Sequence, residues 1–220
     1  MHAVIADVLD PAEVSAARDT LANVAFVDGR ATAGWHAKLV KNNLQAASAD
    51  AAVAKLRDSI AAKISTNALF RLMTRPKTLT PLILSRYEPG MAYGSHVDDA
   101  LMNGVRTDVS FTLFLSDPDT YDGGALVIET SAGEEDVKLP AGSLVAYPST
   151  TLHRVAEVTK GARLAAVGWV RSFIRDPARR ELLFDLDTAR QRIFQKDGKT
   201  AEFDLLSKAS ANLLRMWAED

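Results

Sequence analysis

At 220 residues and 47% hydrophobic content, the chain can bury a sizeable core; wholesale disorder is excluded and the length suits one domain with added elements. Its formal net charge of −2 leaves no broad basic face for nucleic acid or an anionic membrane. With no cysteine, disulfides, thiolate metal sites and cysteine nucleophiles are excluded, and histidine and carboxylate remain as the strong metal ligands.

The first residues, Met1-His2-Ala3-Val4-Ile5-Ala6-Asp7, lack the charged start and long apolar run of a signal peptide. No window approaches the roughly 18 apolar residues of a membrane span, so a cytoplasmic location is the expectation. Residues 3–9 read as a short strand. Asp10-Pro11-Ala12-Glu13 then opens a helix, with Asp10 as cap, Pro11 at the first helical position and Glu13 completing a capping box. This helix runs to about Ala22. Residues 23–47 lack a clear period; Gly29 and Gly34 break them and Trp35 is expected as a buried anchor. From Ser48 a second helix carries Val53, Leu56, Ile60 and Ile64 on one stripe. Residues 1–77 are therefore expected to pack on a core that follows.

From Thr78 the texture changes. Residues 79–88, 107–115, 125–129, 136–139, 143–147, 153–158 and 162–172 read as short strands rich in Val, Leu, Phe and Tyr, separated by Gly, Pro or Asp turns. Connections this short require antiparallel neighbours. The fold class is α+β: a jelly-roll (double-stranded β-helix) core over 78–175, with its natural cavity between the two sheets. Asp176-Pro177 then starts a helix with Leu182, Leu186, Ala189 and Ile193 as its apolar stripe. After the Asp197-Gly198 turn, Phe203, Leu206, Ser210, Leu213 and Trp217 repeat every three or four residues. Residues 176–220 thus form a helical hairpin, which could serve as an interface in a homodimer. Arg175, Arg179 and Arg180 read as a solvated face.

His96 and Asp98 are two positions apart, and in extended backbone that spacing puts both side chains on one face. An imidazole and a carboxylate so placed are two of the three ligands of a 2-His-1-carboxylate site, which binds Fe(II) and leaves positions open for chemistry. His153 opens a later strand and is the candidate third ligand, whereas His2 is terminal and His36 lies in the unpatterned region. Arg163 shares a strand face with Ala165, Val167 and Trp169. An arginine on an apolar face calls for an anion, and its planar fork suits a carboxylate. Both faces of this strand are apolar enough that periodicity leaves open which one points inward.

In these residues the chain resembles the PKHD-type hydroxylases, Fe(II)/2-oxoglutarate-dependent dioxygenases related to prolyl 4-hydroxylase. The resemblance runs through Val40-Lys41-Asn42-Asn43, Tyr87, Tyr93-Gly94-Ser95-His96-Val97-Asp98 and Arg106-Thr107-Asp108. It continues through Gly123-Gly124, Pro140-Ala141-Gly142, Tyr147-Pro148-Ser149, His153, Gly161, Arg163 and Leu183-Phe184-Asp185-Leu186-Asp187. It implies that His96, Asp98 and His153 hold Fe(2+), that Arg163 binds the distal carboxylate of 2-oxoglutarate, and that O2 is consumed with L-ascorbate as auxiliary reductant. Tyr87 and Tyr93 are candidates for the cavity wall near the cosubstrate. The implied substrate is a prolyl- or lysyl-type side chain or a small metabolite, with a link to iron uptake in some relatives. The competing expectation is a cupin-like metal-binding or isomerase jelly roll that does not consume 2-oxoglutarate.

Overall fold

A computed structural model of the chain describes residues 2–220. The helices are α1 (Pro11–Ala22), α2 (Ala51–Thr66), α3 (Ala68–Thr74), α4 (Pro177–Asp197) and α5 (Ala201–Trp217). The capping box forms as the sequence predicts: Glu13 N–H donates to the Asp10 carboxylate at 2.8 Å and Asp10 N–H to the Glu13 carboxylate at 3.0 Å. Asn67 ends α2 and caps α3, accepting from Phe70 N–H at 2.9 Å. The sequence reading contains no α3, because seven residues are too few to display a period.

Every described strand pairing is antiparallel. The major sheet runs Ala3–Ile5, Leu144–Pro148, Val109–Phe114, Arg163–Ser172, Ile83–Tyr87, Leu44–Ala46, Phe26–Asp28, with Pro76–Leu79 also paired to Arg163–Ser172. The minor sheet runs Gly133–Val137, Leu126–Thr130, His153–Val155, Ala92–His96, Lys41–Asn42. Residues 41–46 therefore belong to both sheets and close one edge of the sandwich. The jelly roll expected from the turn spacing is the architecture observed.

Strand alternation divides the core in two. Val109, Phe111 and Leu113 point outward and pack under α1, α2 and α3 with Val14, Leu21, Val53, Ile60, Ile64 and Phe70. Phe114, Val145 and Tyr147 point between the sheets, where they meet Leu126, Ile128 and Val155 of the minor sheet. Gly168 sits where the Phe111 ring and the Leu82 side chain leave no room: a Cβ there would lie 2.6 Å from Phe111 Cζ and 2.7 Å from Leu82 Cδ2.

Three expectations are corrected. Trp35 is 80% exposed, because the segment around it folds into two short 3-10 turns that build no core of their own. Arg180 is buried rather than solvated; its side chain turns back and donates to the carbonyls of Ile174 and Arg175, each at 2.8 Å. The inward side of α4 is offset from the Leu182, Leu186, Ala189 and Ile193 stripe: Leu182 is exposed, while Leu183 and Asp187 are buried. Asp187 is the centre of a polar tie, accepting from Arg75, from Ser210 of α5 (2.8 Å) and lying 3.1 Å from Arg190. These bonds hold the C-terminal helices to each other and to the end of α3.

Candidate active site

His96 ends the strand Ala92–His96, and His153 opens the strand His153–Val155. The two strands pair with His96 directly opposite His153, so histidines remote in sequence meet across one rung, ring centroids 4.3 Å apart. Asp98 follows just past the first strand. His96 Nε2 lies 3.9 Å from Asp98 Oδ1 and His153 Nε2 lies 3.8 Å from Asp98 Oδ2. One ligand atom from each of the three side chains falls within 4.8 Å of the others.

Local bonds orient all three groups. Nδ1 of His96 lies 2.8 Å from the Gly94 carbonyl, and Nδ1 of His153 lies 3.0 Å from the Thr151 carbonyl. A carbonyl only accepts, so each Nδ1 carries the proton and each Nε2 keeps its lone pair for the centre of the cluster. Burial, aided by the facing His153, pushes His96 down to about 4, which keeps its ring neutral at pH 7. Ser110 donates to Asp98 Oδ2 at 2.5 Å. With its single proton committed there, Ser110 accepts from Ser149 at 2.8 Å, completing a buried relay that fixes the carboxylate. The Tyr93 ring stacks on His96 at 3.6 Å, and Tyr147 meets His153 edge-on at 5.0 Å. Two imidazoles and one carboxylate, desolvated and converging, fit a divalent cation with coordination positions to spare.

Arg163 settles the register left open by periodicity. It is 1% exposed and faces the space between the sheets, its guanidinium 5.3 Å from the ring centres of both Tyr87 and Phe114. Arg163 Nε and the nearby Tyr121 hydroxyl are buried with no hydrogen-bond partner among the described residues. No carboxylate lies within ion-pair distance of Arg163 among those residues either. A buried cation without a counter-ion is costly, and unspent donors beside it are what a carboxylate from outside would use. Gly124, at φ +63, lets the chain pass close: a Cβ there would lie 3.2 Å from Arg163 Cδ and 2.8 Å from Val158 Cγ2. Burial pushes the Tyr87 and Tyr93 phenols upward, so both stay protonated.

His96, Asp98, His153, Arg163, Tyr87 and Tyr93 all line one cavity between the sheets. The structure thus brings together the six candidate site residues named from the sequence, and leaves His36 exposed and outside the cavity. Ser110 and Tyr121 escaped sequence reasoning, and Lys41 and Ser149 entered it only within stretches of the resemblance, with no role assigned. Ser110 and Thr112 alternate with Val109, Phe111 and Leu113, and that polar set on a buried strand was the available signal.

Residues 82–171 match the family model of the 2OG-Fe(II) oxygenase superfamily, and residues 177–219 match that of the PKHD-type hydroxylase C-terminal domain. The chain is 56% identical to a PKHD-type hydroxylase of Picosynechococcus sp. over 98% of both chains. It belongs to the PKHD-type hydroxylase family. A PKHD-type hydroxylase of Acaryochloris marina is 53% identical over the full length of both chains. Among solved structures, a Pseudomonas putida prolyl-4-hydroxylase shares the fold, with a TM-score of 0.53 at 23% identity over 78% of this chain and 92% of that one. This PKHD-type hydroxylase is accordingly an Fe(II)/2-oxoglutarate-dependent dioxygenase, with Fe(II), 2-oxoglutarate and O2 as its cofactor and cosubstrates. The cupin alternative finds no support in these matches. No helix among the described residues is long and apolar enough to cross a membrane.

Proposed function

We propose that this PKHD-type hydroxylase couples decarboxylation of 2-oxoglutarate to hydroxylation of a substrate C–H bond, with His96, Asp98 and His153 as the Fe(II) ligands and Arg163 as the anchor of the cosubstrate's distal carboxylate. The carrying observation is the presence, in one cavity, of a converging three-donor cluster and a buried guanidinium that lacks a counter-ion. In the balanced reaction one oxygen atom of O2 enters the substrate as hydroxyl and the other enters succinate, with release of CO2. The bound metal and cosubstrates supply that oxidising chemistry. The chain's own groups supply position. The Nδ1 bonds to Gly94 and Thr151 hold both imidazoles in ligand orientation, and Ser110 holds Asp98. Arg163 and the Tyr121 hydroxyl offer donors to one end of a dicarboxylate, and Tyr87 and Tyr93 wall the space between that end and the metal.

The substrate class proposed is a prolyl- or lysyl-type side chain or a small metabolite that fits the cavity. The Pseudomonas putida neighbour is named a prolyl-4-hydroxylase, which favours testing prolyl groups first. Anaerobic addition of Fe(II) and then 2-oxoglutarate should produce the visible charge-transfer band of bidentate chelation. A substrate screen under air, with ascorbate present and succinate release as readout, then identifies what is hydroxylated. A protein that binds iron but gives no band and no succinate would overturn the proposal.

A further inference from the structure

Residues 41–46 close the edge of the sandwich, and strand alternation turns Lys41, Asn43 and Gln45 to the cavity; all three line it and all three are buried. A polar stripe in such a place is expensive unless a ligand uses it. Lys41 is the charged member. It is 7% exposed, its strand pairs Lys41 with Tyr93, and its ammonium lies 4.9 Å from the centre of the Tyr93 ring, which also stacks on His96. Its hydrogen bond goes to the neutral Thr32 hydroxyl at 3.0 Å. No carboxylate lies within ion-pair distance of it among the described residues. Asp28 is already held by Arg30 at 2.6 Å, and Asp99 sits exposed on the cavity rim. Burial pushes the Lys41 ammonium down to about 8, with partial relief from the fields of Asp98 and Asp28.

Charge counting sharpens the point. A divalent cation on Asp98 leaves one positive charge, which one carboxylate of 2-oxoglutarate neutralises; the other carboxylate neutralises Arg163. With cosubstrate and metal in place, Lys41 is the buried cavity charge still without a partner among the described residues. We infer that Lys41 heads a second anion subsite, beside the metal cluster and apart from Arg163, that receives a carboxylate of the substrate. The substrates of this enzyme are then acids, such as a free amino acid, a peptide with its terminal carboxylate close to the hydroxylated residue, or a carboxylated metabolite. This rests on the proposed ligand and anchor assignment, and it adds the chemistry by which the substrate is chosen.

The test uses the full chain loaded with Zn(II), which is redox-inert, and saturated with 2-oxoglutarate. Lysines are labelled at Cε with 13C, and the Lys41 resonance is identified by its loss in Lys41→Met. The probes are acetate, benzoate and L-proline, each paired with its amide. At least one carboxylate should move the Lys41 resonance saturably, while its amide binds about tenfold more weakly or not at all. Lys41→Met should lose that carboxylate's binding, Lys41→Arg should keep part of it, and both should bind 2-oxoglutarate within about threefold of the parent. If Lys41→Met instead weakens 2-oxoglutarate by tenfold or more, the lysine is a cosubstrate contact and the inference falls. It falls equally if no carboxylate moves the resonance at tens of millimolar. A parent protein that fails to bind 2-oxoglutarate would overturn the anchor assignment itself, a result distinct from either of these.

Discussion

Replacing Arg163 by methionine should separate two quantities that usually move together. Arg163 is 1% exposed and has no ion-pair partner among the described residues, so the cofactor-free fold bears an uncompensated buried charge. Exchanging buried ionic groups for apolar ones of similar volume is often neutral or stabilising by about 1–4 kcal/mol. Arg163→Met should therefore leave the urea midpoint of the cofactor-free protein unchanged or raised. Its effect on 2-oxoglutarate should be the reverse. Losing one partner of a buried charge pair costs about 2–5 kcal/mol, which is roughly thirty- to several-thousandfold in affinity. Arg163→Lys should recover only part of this, because an ammonium lacks the planar fork. Lys160, exposed on the strand Val158–Gly161, and Arg154, paired outside the cavity with Glu134, are the controls. Alanine at either should hold cosubstrate affinity within a few-fold. Titrating 2-oxoglutarate into each anaerobic Fe(II) protein, alongside urea melts of the metal-free forms, reads both effects. If Arg163→Met binds 2-oxoglutarate normally, or Lys160→Ala loses it, the anchor has been misassigned.

Ser110→Ala removes the bond that orients Asp98, and metal affinity should drop about 10- to 100-fold with the fold retained, as measured by competition with a chelating dye. Asp187→Ala strands the Arg75 guanidinium and the Ser210 hydroxyl, so denaturation should show a loss of about 3 kcal/mol; an unchanged midpoint would show that α4 and α5 are held by apolar contact alone. Lys41 gives a pH signature. Between pH 8 and its ordinary 10.5 the unfolded chain keeps a proton that the folded protein has released, so rising pH stabilises the fold through this window. Relative to the parent, metal-free Lys41→Met should be more stable below pH 8, by up to about 3 kcal/mol, and that advantage should shrink towards pH 10.5.

The parts of the molecule legible in advance are those specified by neighbouring residues. Asp10-Pro11 with Glu13, and Asp176-Pro177, cap helices through bonds spanning two or three residues, and the chain needs no distant partner to make them. His96-x-Asp98 was legible for the same reason. His153 and Arg163 were candidates from the strand pattern and took their specific roles only from the resemblance, because a lone histidine or arginine on a strand carries no local sign of what faces it. Arg180 was misread because its burial depends on carbonyls at the end of a strand that it folds back to meet. Trp35 was misread because ring size argues for burial, whereas position in a coreless segment decides against it. Lys41 and Asn43 lay within the resemblance, but that they share a face with Gln45 was hidden in a region of two-residue and three-residue strands, too short for a period of two to stand out.

The rung joining His96 to His153 has a consequence beyond ligand placement. The ladder between Ala92–His96 and His153–Val155 is short and slips register after its first pair, so backbone bonds alone clamp it weakly. On the proposed ligation a single ion ties residues 96 and 98 to residue 153, and so cross-links two stretches separated by a long loop of chain. A link closing a loop of that size is worth about 3–5 kcal/mol on the chain-entropy account. Iron would then act as a removable staple for the minor sheet. Starved of it, the enzyme would open first at this rung, and metal supply would set how long each molecule survives proteolysis as well as whether it turns over.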